Sequence, residues 1–223
     1  MNGMHDFRLI GQREKIAFRC SQCGGCCRNV RDSVMLKPYD AYRLIRHIRQ
    51  KSAGYTAEDI LEQRCVLKPL SRGFEVYVLK TTDDSGVCTF LEDNRCSVYE
   101  GRPQTCRLYP FCAGPGATST QLAWGLCTER GEHFGQGSVT VREWKRKSLD
   151  RDEEAVILAE FDAVAALGRL MKLIPDENLD RATMLTLLYS YHFYELERPF
   201  LQQYLRNVEL LKQQLFALGA SAT

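Results

Sequence analysis

Long apolar runs are missing from this 223-residue sequence. The nearest, residues 184–194, falls far short of the roughly 18 residues that cross a bilayer, so no helical membrane anchor is expected. Charge of one sign is missing too. Against 28 acidic residues stand 30 Lys and Arg, a formal net charge of +2, and such a balance calls for neither nucleic acid nor an anionic membrane. Even the basic run Lys145, Arg146, Lys147 is followed by Asp150, Asp152 and Glu153, the pattern of a solvated helix face. The first residues carry charges at Asp6, Arg8, Arg13, Glu14, Lys15 and Arg19 and no apolar stretch between them, unlike a secretory signal. There is no internal repeat, no Gly-rich dinucleotide fingerprint, no CxxxCxxC run and no Ser/His/Asp pattern. These absences read as a cytoplasmic protein with no membrane and no nucleic-acid partner.

What is present is cysteine. Ten occur, in a chain that is 44% hydrophobic and so can build a core without cross-links. In a reducing compartment clustered thiols serve as metal ligands or redox groups more often than as disulfides. The cysteines also divide the chain, since none follows Cys127. The expected class is α+β: a cysteine-rich metal-binding domain of short strands and helices over residues 1–139, then a mainly α-helical region over residues 140–223.

Local signals fill in that outline. Phe7, Leu9, Ile16 and Phe18 suit an extended opening segment. Pro38 and Asp40 start a helix running to about Lys51, with Leu44, Ile45 and Ile48 as its apolar stripe. Thr56 and Asp59 form a capping pair for a second helix. Residues 74–80 have strand composition, and residues 82–86 read as a turn. Two facing strands are expected around Cys88 and Cys96, joined by a turn at residues 92–94. Pro103 opens a helix holding Cys106, and small residues at 113–119 suggest a loop. Thr140 and Glu143 cap a helix whose apolar positions Val156, Ala159, Ala163, Leu167 and Leu170 continue at helical spacing until Pro175. Two more helices, to about Leu196 and from Pro199 to about Leu218, complete an expected three-helix bundle. The aromatic run Tyr189, Tyr191, Phe193 and Tyr194 fits its buried interface.

Cys20, Cys23 and Cys26 are spaced by three, so a turn can bring neighbouring thiolates onto one centre. Gly24 and Gly25 supply the backbone freedom and space this needs. The spacing resembles the start of a ferredoxin-type run, while one CxxC pair alone would equally suit zinc. Adjacent side chains usually diverge, so Cys26 and Cys27 are expected to serve different sites or a larger cluster. Cys88, Cys96 and Cys106 form a second set, with Cys127 beyond. Cys106, near a helix start between Arg102 and Arg107, is expected to have a lowered pKa. Cys65 reads as a small core hydrophobe. His133, in a Gly-rich loop, is most simply an exposed histidine, although it could complete a site. Cys112 has no assigned role.

Cys20-x-x-Cys23-Gly-Gly-Cys26-Cys27-Arg, Cys88-x-Phe-Leu and Cys96-Ser-Val-Tyr-Glu-x-Arg-Pro-x-x-Cys106-Arg-x-Tyr-Pro-Phe together resemble the YkgJ-like CxxCxxCC family of zinc- or iron-chelating domains. The resemblance covers about residues 18–140. It implies metal ligation by Cys20, Cys23, Cys26, Cys27, Cys88, Cys96, Cys106 and Cys127. The family's usual Cys-Pro-Gly reads Cys127-Thr-Glu in this chain. A more distant similarity to flagellin lysine N-methylases implies an iron–sulfur cluster and S-adenosylmethionine-dependent methyl transfer. Three uses follow: a cluster- or zinc-binding protein, a cluster-dependent methyltransferase or redox enzyme acting on a protein, and a structural zinc module for protein association. Eight thiolates exceed one tetrahedral zinc, so either two metal sites exist or some cysteines have another role; an iron–sulfur cluster, of 4Fe-4S type, is favoured over zinc by the ferredoxin-like spacing and the methylase resemblance.

Overall fold

A computed structural model describes residues 7–28, 30–31, 33–82, 85–116, 120–149 and 151–220. In chain order the strands are β1 (Phe7–Leu9), β2 (Lys15–Phe18), β3 (Cys65–Ser71), β4 (Phe74–Leu79), β5 (Thr81–Thr82), β6 (Val87–Cys88), β7 (Leu91–Glu92), β8 (Arg95–Cys96), β9 (Phe111–Pro115), β10 (Leu122–Cys127) and β11 (Phe134–Thr140). The helices are α1 (Pro38–Lys51), α2 (Ala57–Arg64), α3 (Gln104–Leu108), α4 (Val141–Ser148), α5 (Arg151–Met171), α6 (Leu179–Leu187) and α7 (Phe200–Ala220). The class is α+β with a helical C-terminal part. No helix among the described residues is long and apolar enough to cross a membrane.

No large sheet forms. β1, β10 and β9 make an antiparallel sheet, and β11 pairs with β2. β3 and β4 make a hairpin, while β5–β6 and β7–β8 are two-residue ladders. Each ladder sets a cysteine rather than burying much surface. The hairpin expected over the turn at residues 92–94 forms, with Cys96 in its ladder and Cys88 outside it. Cys88 lies opposite Thr81, and Cys96 lies opposite Leu91. Asp93 and Asn94 explain the hairpin: both take left-handed φ angles, 46° and 61°, the turn that closes a two-residue hairpin directly at Glu92 and Arg95. Residues 83 and 84 of the expected 82–86 turn, and 117–119 of the expected loop, lie outside the described residues; β9 already occupies residues 111–115.

The capped helices start where their caps demand. In α2, Thr56 accepts the Asp59 N–H at 3.1 Å while Asp59 accepts the Thr56 N–H at 2.8 Å. Thr140 and Glu143 do the same for α4. The expected single helix from Thr140 to Pro175 is two, because α4 ends at Ser148 and α5 begins at Arg151. Beyond α6 the chain continues as a π-helical turn, Leu188–His192, so the regular α-helix stops short of Leu196.

Four apolar clusters hold these elements. The first packs Leu36, Leu44, Ile45 and Leu61 with Cys65, Cys88 and Tyr191, and Cys27, Cys96 and Cys106 lie against its edge. The second joins Phe18, Leu108, Trp124 and Val141. Leu167, Met171, Leu211 and Leu215 make the third, and Tyr42 with Val156, Phe200 and Tyr204 the fourth. Tyr191 donates its hydroxyl to the Leu36 carbonyl at 2.9 Å. The helical region therefore seats Tyr191 behind the cysteines, whereas Tyr189 and Tyr194 pack against the third and fourth clusters and Phe193, expected in a buried interface, is exposed.

Candidate metal centre

The first cysteine loop is shaped by contacts that leave no room for side chains at its glycines. Gly24 sits at φ +72°, and a Cβ there would stand 2.7 Å from the Asn94 carbonyl oxygen and 2.8 Å from Leu91. A Cβ on Gly25 would stand 2.5 Å from His133 Nε2 and 3.4 Å from Cys23 Sγ. The loop thus lies on the tip of the β7–β8 hairpin on one side and against His133 on the other. A 3₁₀ turn, Gly25–Cys27, follows, closed by the Cys27 N–H donating to the Gly24 carbonyl at 3.0 Å.

That turn brings four separate segments around one cavity of about 240 Å³. Cys20, Cys23, Cys26 and Cys27 line it from the loop, Cys88 from β6, Cys96 from β8 and Cys106 from α3. Phe90, Leu79, Val98 and Pro103 form apolar wall, and Arg19, Arg102, Gln22 and Gln136 bring polar groups to it. Cys20 and Cys23 are exposed, whereas Cys88 is buried. Among the described residues no three His, Cys, Asp or Glu side chains are already drawn onto one ion-sized point. The thiols ring an open volume instead.

Cys26 and Cys27 do not diverge. The Cys27 thiol donates to the Cys26 sulfur, which holds Cys26 down at about 6, helped by Arg102 and Arg130 against the effect of burial. The same bond pushes Cys27 far up, and burial and the neighbouring Cys26, Cys106 and Cys88 add to it. A 3₁₀ turn directs consecutive side chains about 120° apart, close enough on a tight radius for both to reach one cavity. Both thiols therefore line one cavity, an arrangement compatible with the larger cluster among the uses expected for the pair.

Cys106 is corrected as well: burial pushes its thiol up, and Cys88, Cys26, Cys96 and Asp40 push it further. The arginines expected to lower it are engaged elsewhere. Arg107 pairs with Glu153 at 2.6 Å and donates to the Ser148 carbonyl at 2.7 Å. Arg102 lies over the Tyr99 ring, 3.5 Å from its centroid. α3 has only five residues, so its dipole is small. Burial also raises Cys88 and Cys96, and a charge on Cys26 would repel each of them. Four thiols held protonated around Cys26 form a set whose ionisation a cation or a cationic cluster core would favour, with release of protons. All-sulfur donation suits both zinc and iron–sulfur chemistry. In the donors they offer, the residues fit the metals considered.

The remaining candidates lie elsewhere. Cys127 ends β10, donates its N–H to the Pro110 carbonyl at 2.8 Å, and is not part of the cavity wall. It lies behind Tyr109, whose hydroxyl is pushed up by burial and then by Cys127 and Cys26 together. Cys65 is buried in the first apolar cluster, and burial pushes its thiol up to about 12. Cys112 faces Gly125 across the β9–β10 ladder. His192 hydrogen-bonds Tyr77 at 3.3 Å, away from the cavity. His5 lies outside the described residues. His133, by contrast, lines the cavity and bonds the Tyr109 hydroxyl through Nδ1 at 2.6 Å. In the sequence Tyr109 stands out only as part of the Tyr-Pro-Phe flank, and nothing there marks Arg130.

The model of the CxxCxxCC family, described as "Putative zinc- or iron-chelating domain", matches residues 19–128. An uncharacterized protein of Methanocaldococcus jannaschii is 31% identical over 139 residues, covering 60% of this chain and 68% of the relative. No solved structure matches the chain.

Proposed function

Because this chain belongs to the CxxCxxCC family of zinc- or iron-chelating domains, we propose that the metal it chelates is an iron–sulfur cluster. Its ligands are drawn from Cys20, Cys23, Cys26, Cys27, Cys88, Cys96 and Cys106. One observation carries the choice: seven thiols from four chain segments line a single cavity. A structural zinc closes with four ligands and a single cluster is likewise held by four cysteines, so either leaves thiols over; what favours the cluster is room, because its own sulfides need a cavity ringed by thiols where one ion does not.

When bound, such a cluster supplies one-electron redox chemistry. The chain's own residues do the rest. Arg102 and Arg130 set positive charge beside Cys26, offsetting the negative charge of a thiolate-bound cluster. Phe90, Leu79 and Val98 keep water from the inner wall. The exposed Cys20 and Cys23 leave the outer side near the surface, where electrons would pass to a protein partner or a protein side chain. The methyl transfer implied by the flagellin methylase resemblance has no supporting observation of its own among the described residues.

Anaerobic purification after iron-replete expression tests the assignment. A brown protein with iron and acid-labile sulfide, bleached by air, is expected. A colourless protein holding stoichiometric zinc overturns the cluster and returns the site to a structural module.

A further inference from the structure

We propose that His133 is a nitrogen donor of this same centre, its Nε2 entering beside Cys23 while Tyr109 fixes the ring through Nδ1. The inference rests on reading the cavity as a metal centre. It adds a donor that lies outside the cysteine pattern altogether.

Position argues first. His133 Nε2 and Cys23 Sγ lie 2.5 Å and 3.4 Å from one point, the place a Gly25 Cβ would take. Both atoms thus border the same side of Gly25 and the same part of the cavity wall, close enough to serve one centre. Glycine at position 25 is what keeps that place open.

Orientation argues second. A neutral imidazole carries its proton on one nitrogen and a lone pair on the other. The Tyr109 hydroxyl lies 2.6 Å from Nδ1, and the tautomer that donates Nδ1–H to it is the one that leaves the Nε2 lone pair for a metal in the cavity. Ligating histidines are ordinarily fixed this way by a partner on the far nitrogen. Tyr109 is itself braced, edge-on to Phe18 with ring centroids 6.0 Å apart. His192 shows the contrast: its Nε2 meets Tyr77, and its Nδ1 lies 3.5 Å from Glu58, which leaves no nitrogen for a metal.

The donor count argues third. The family pattern implies eight sulfurs, but the cavity wall holds seven and does not include Cys127. Six residues further on, His133 reaches the wall instead. The segment after β10 therefore contributes its imidazole, with Cys127 set behind Tyr109.

Pulsed electron paramagnetic resonance on the reduced protein, grown with nitrogen-15 histidine, tests this directly. Wild type is expected to show strong hyperfine coupling to one histidine nitrogen. His133→Ala is expected to lose it, and Gly25→Ala to weaken it by pushing the ring away while every thiol remains. Where His133→Ala no longer holds a cluster, His133→Cys should restore one, without the coupling and at a lower reduction potential, because imidazole in place of thiolate raises potential. A cluster in wild type with no histidine coupling, or one unchanged by His133→Ala, overturns the inference and leaves the cluster assignment standing. If wild type holds zinc, the cluster assignment fails, and X-ray absorption at the zinc edge decides for His133: imidazole scattering supports it and an all-sulfur shell overturns it. Wild type that retains neither metal overturns both.

Discussion

The Asp40 carboxylate accepts the backbone N–H of Gln104 at 2.6 Å and, through its other oxygen, the N–H of Lys37 at 3.2 Å. One buried side chain therefore caps α1, on which it resides, and α3, which carries Cys106. It joins chain positions 64 apart and fixes where the last cysteine enters the cavity. Sequence reasoning places Asp40 at the start of α1 correctly but has no means to see its second partner.

Asp40→Ala should accordingly act at a distance. Two buried N–H groups would lose their acceptor, which costs about 2–4 kcal/mol. Denaturant midpoints should fall by that amount, and the purified variant should hold less metal because α3 is released. Thr56→Ala removes an exposed cap of α2 and should cost about 1 kcal/mol with metal content unchanged. Equal metal loss in both variants would separate Asp40 from the site.

Gly24→Ala should disturb the cysteine loop without removing a donor. The left-handed backbone alone costs an L-residue about 1–2 kcal/mol. The Asn94 carbonyl, 2.7 Å from the new Cβ, forces the loop off the β7–β8 hairpin as well. Metal content per chain should drop markedly, as measured by elemental analysis after gel filtration. Gly11→Ala, with nothing within 4 Å of its Cβ, should leave metal content intact.

What was legible in the sequence is what is local. Caps at Thr56 and Thr140 and the Pro38 start are each decided within four residues, and α1, α2 and α4 begin where expected. The convergence of cysteines on one centre was legible only through the family pattern. What escaped depends on distant chain. Cys88 takes its ladder partner, Thr81, from outside the hairpin that holds Cys96. Cys106 loses its expected acidity because burial, and then Cys88, Cys26 and Cys96 brought in from other segments, push its thiol up. The neighbourhood of His133 is decided by Gly25, more than a hundred residues away, and no spacing rule connects them.

Cys65 and Cys106 should separate structural from ligating thiols. Cys65 packs among Leu61, Leu79 and Ile60 in the first apolar cluster. Cys65→Ala should cost about 1 kcal/mol as a small cavity while the metal stays. Cys106→Ala removes a thiol from the cavity wall, so metal and the stability it confers should fall together. Metal analysis beside thermal unfolding of the two variants checks this, and metal loss in Cys65→Ala alone would reverse the assignment.

Glu160 should impose a pH dependence on stability that has nothing to do with the cysteines. Burial raises its carboxyl from 4.5 to about 8, and Asp40 nearby adds to the rise, while Lys37, 3.8 Å away, and the Tyr39 N–H oppose it. Between those two values the folded chain keeps a proton that the unfolded chain has released. The unfolded state then binds fewer protons, so stability falls as pH rises through that window. Glu160→Gln keeps the shape and an oxygen acceptor but has nothing to ionise. Its urea midpoint should vary less than that of wild type from about pH 5 to about pH 8, and should exceed it at the alkaline end. Parallel curves for the two proteins would show that Glu160 is ionised throughout, with Lys37 compensating its charge.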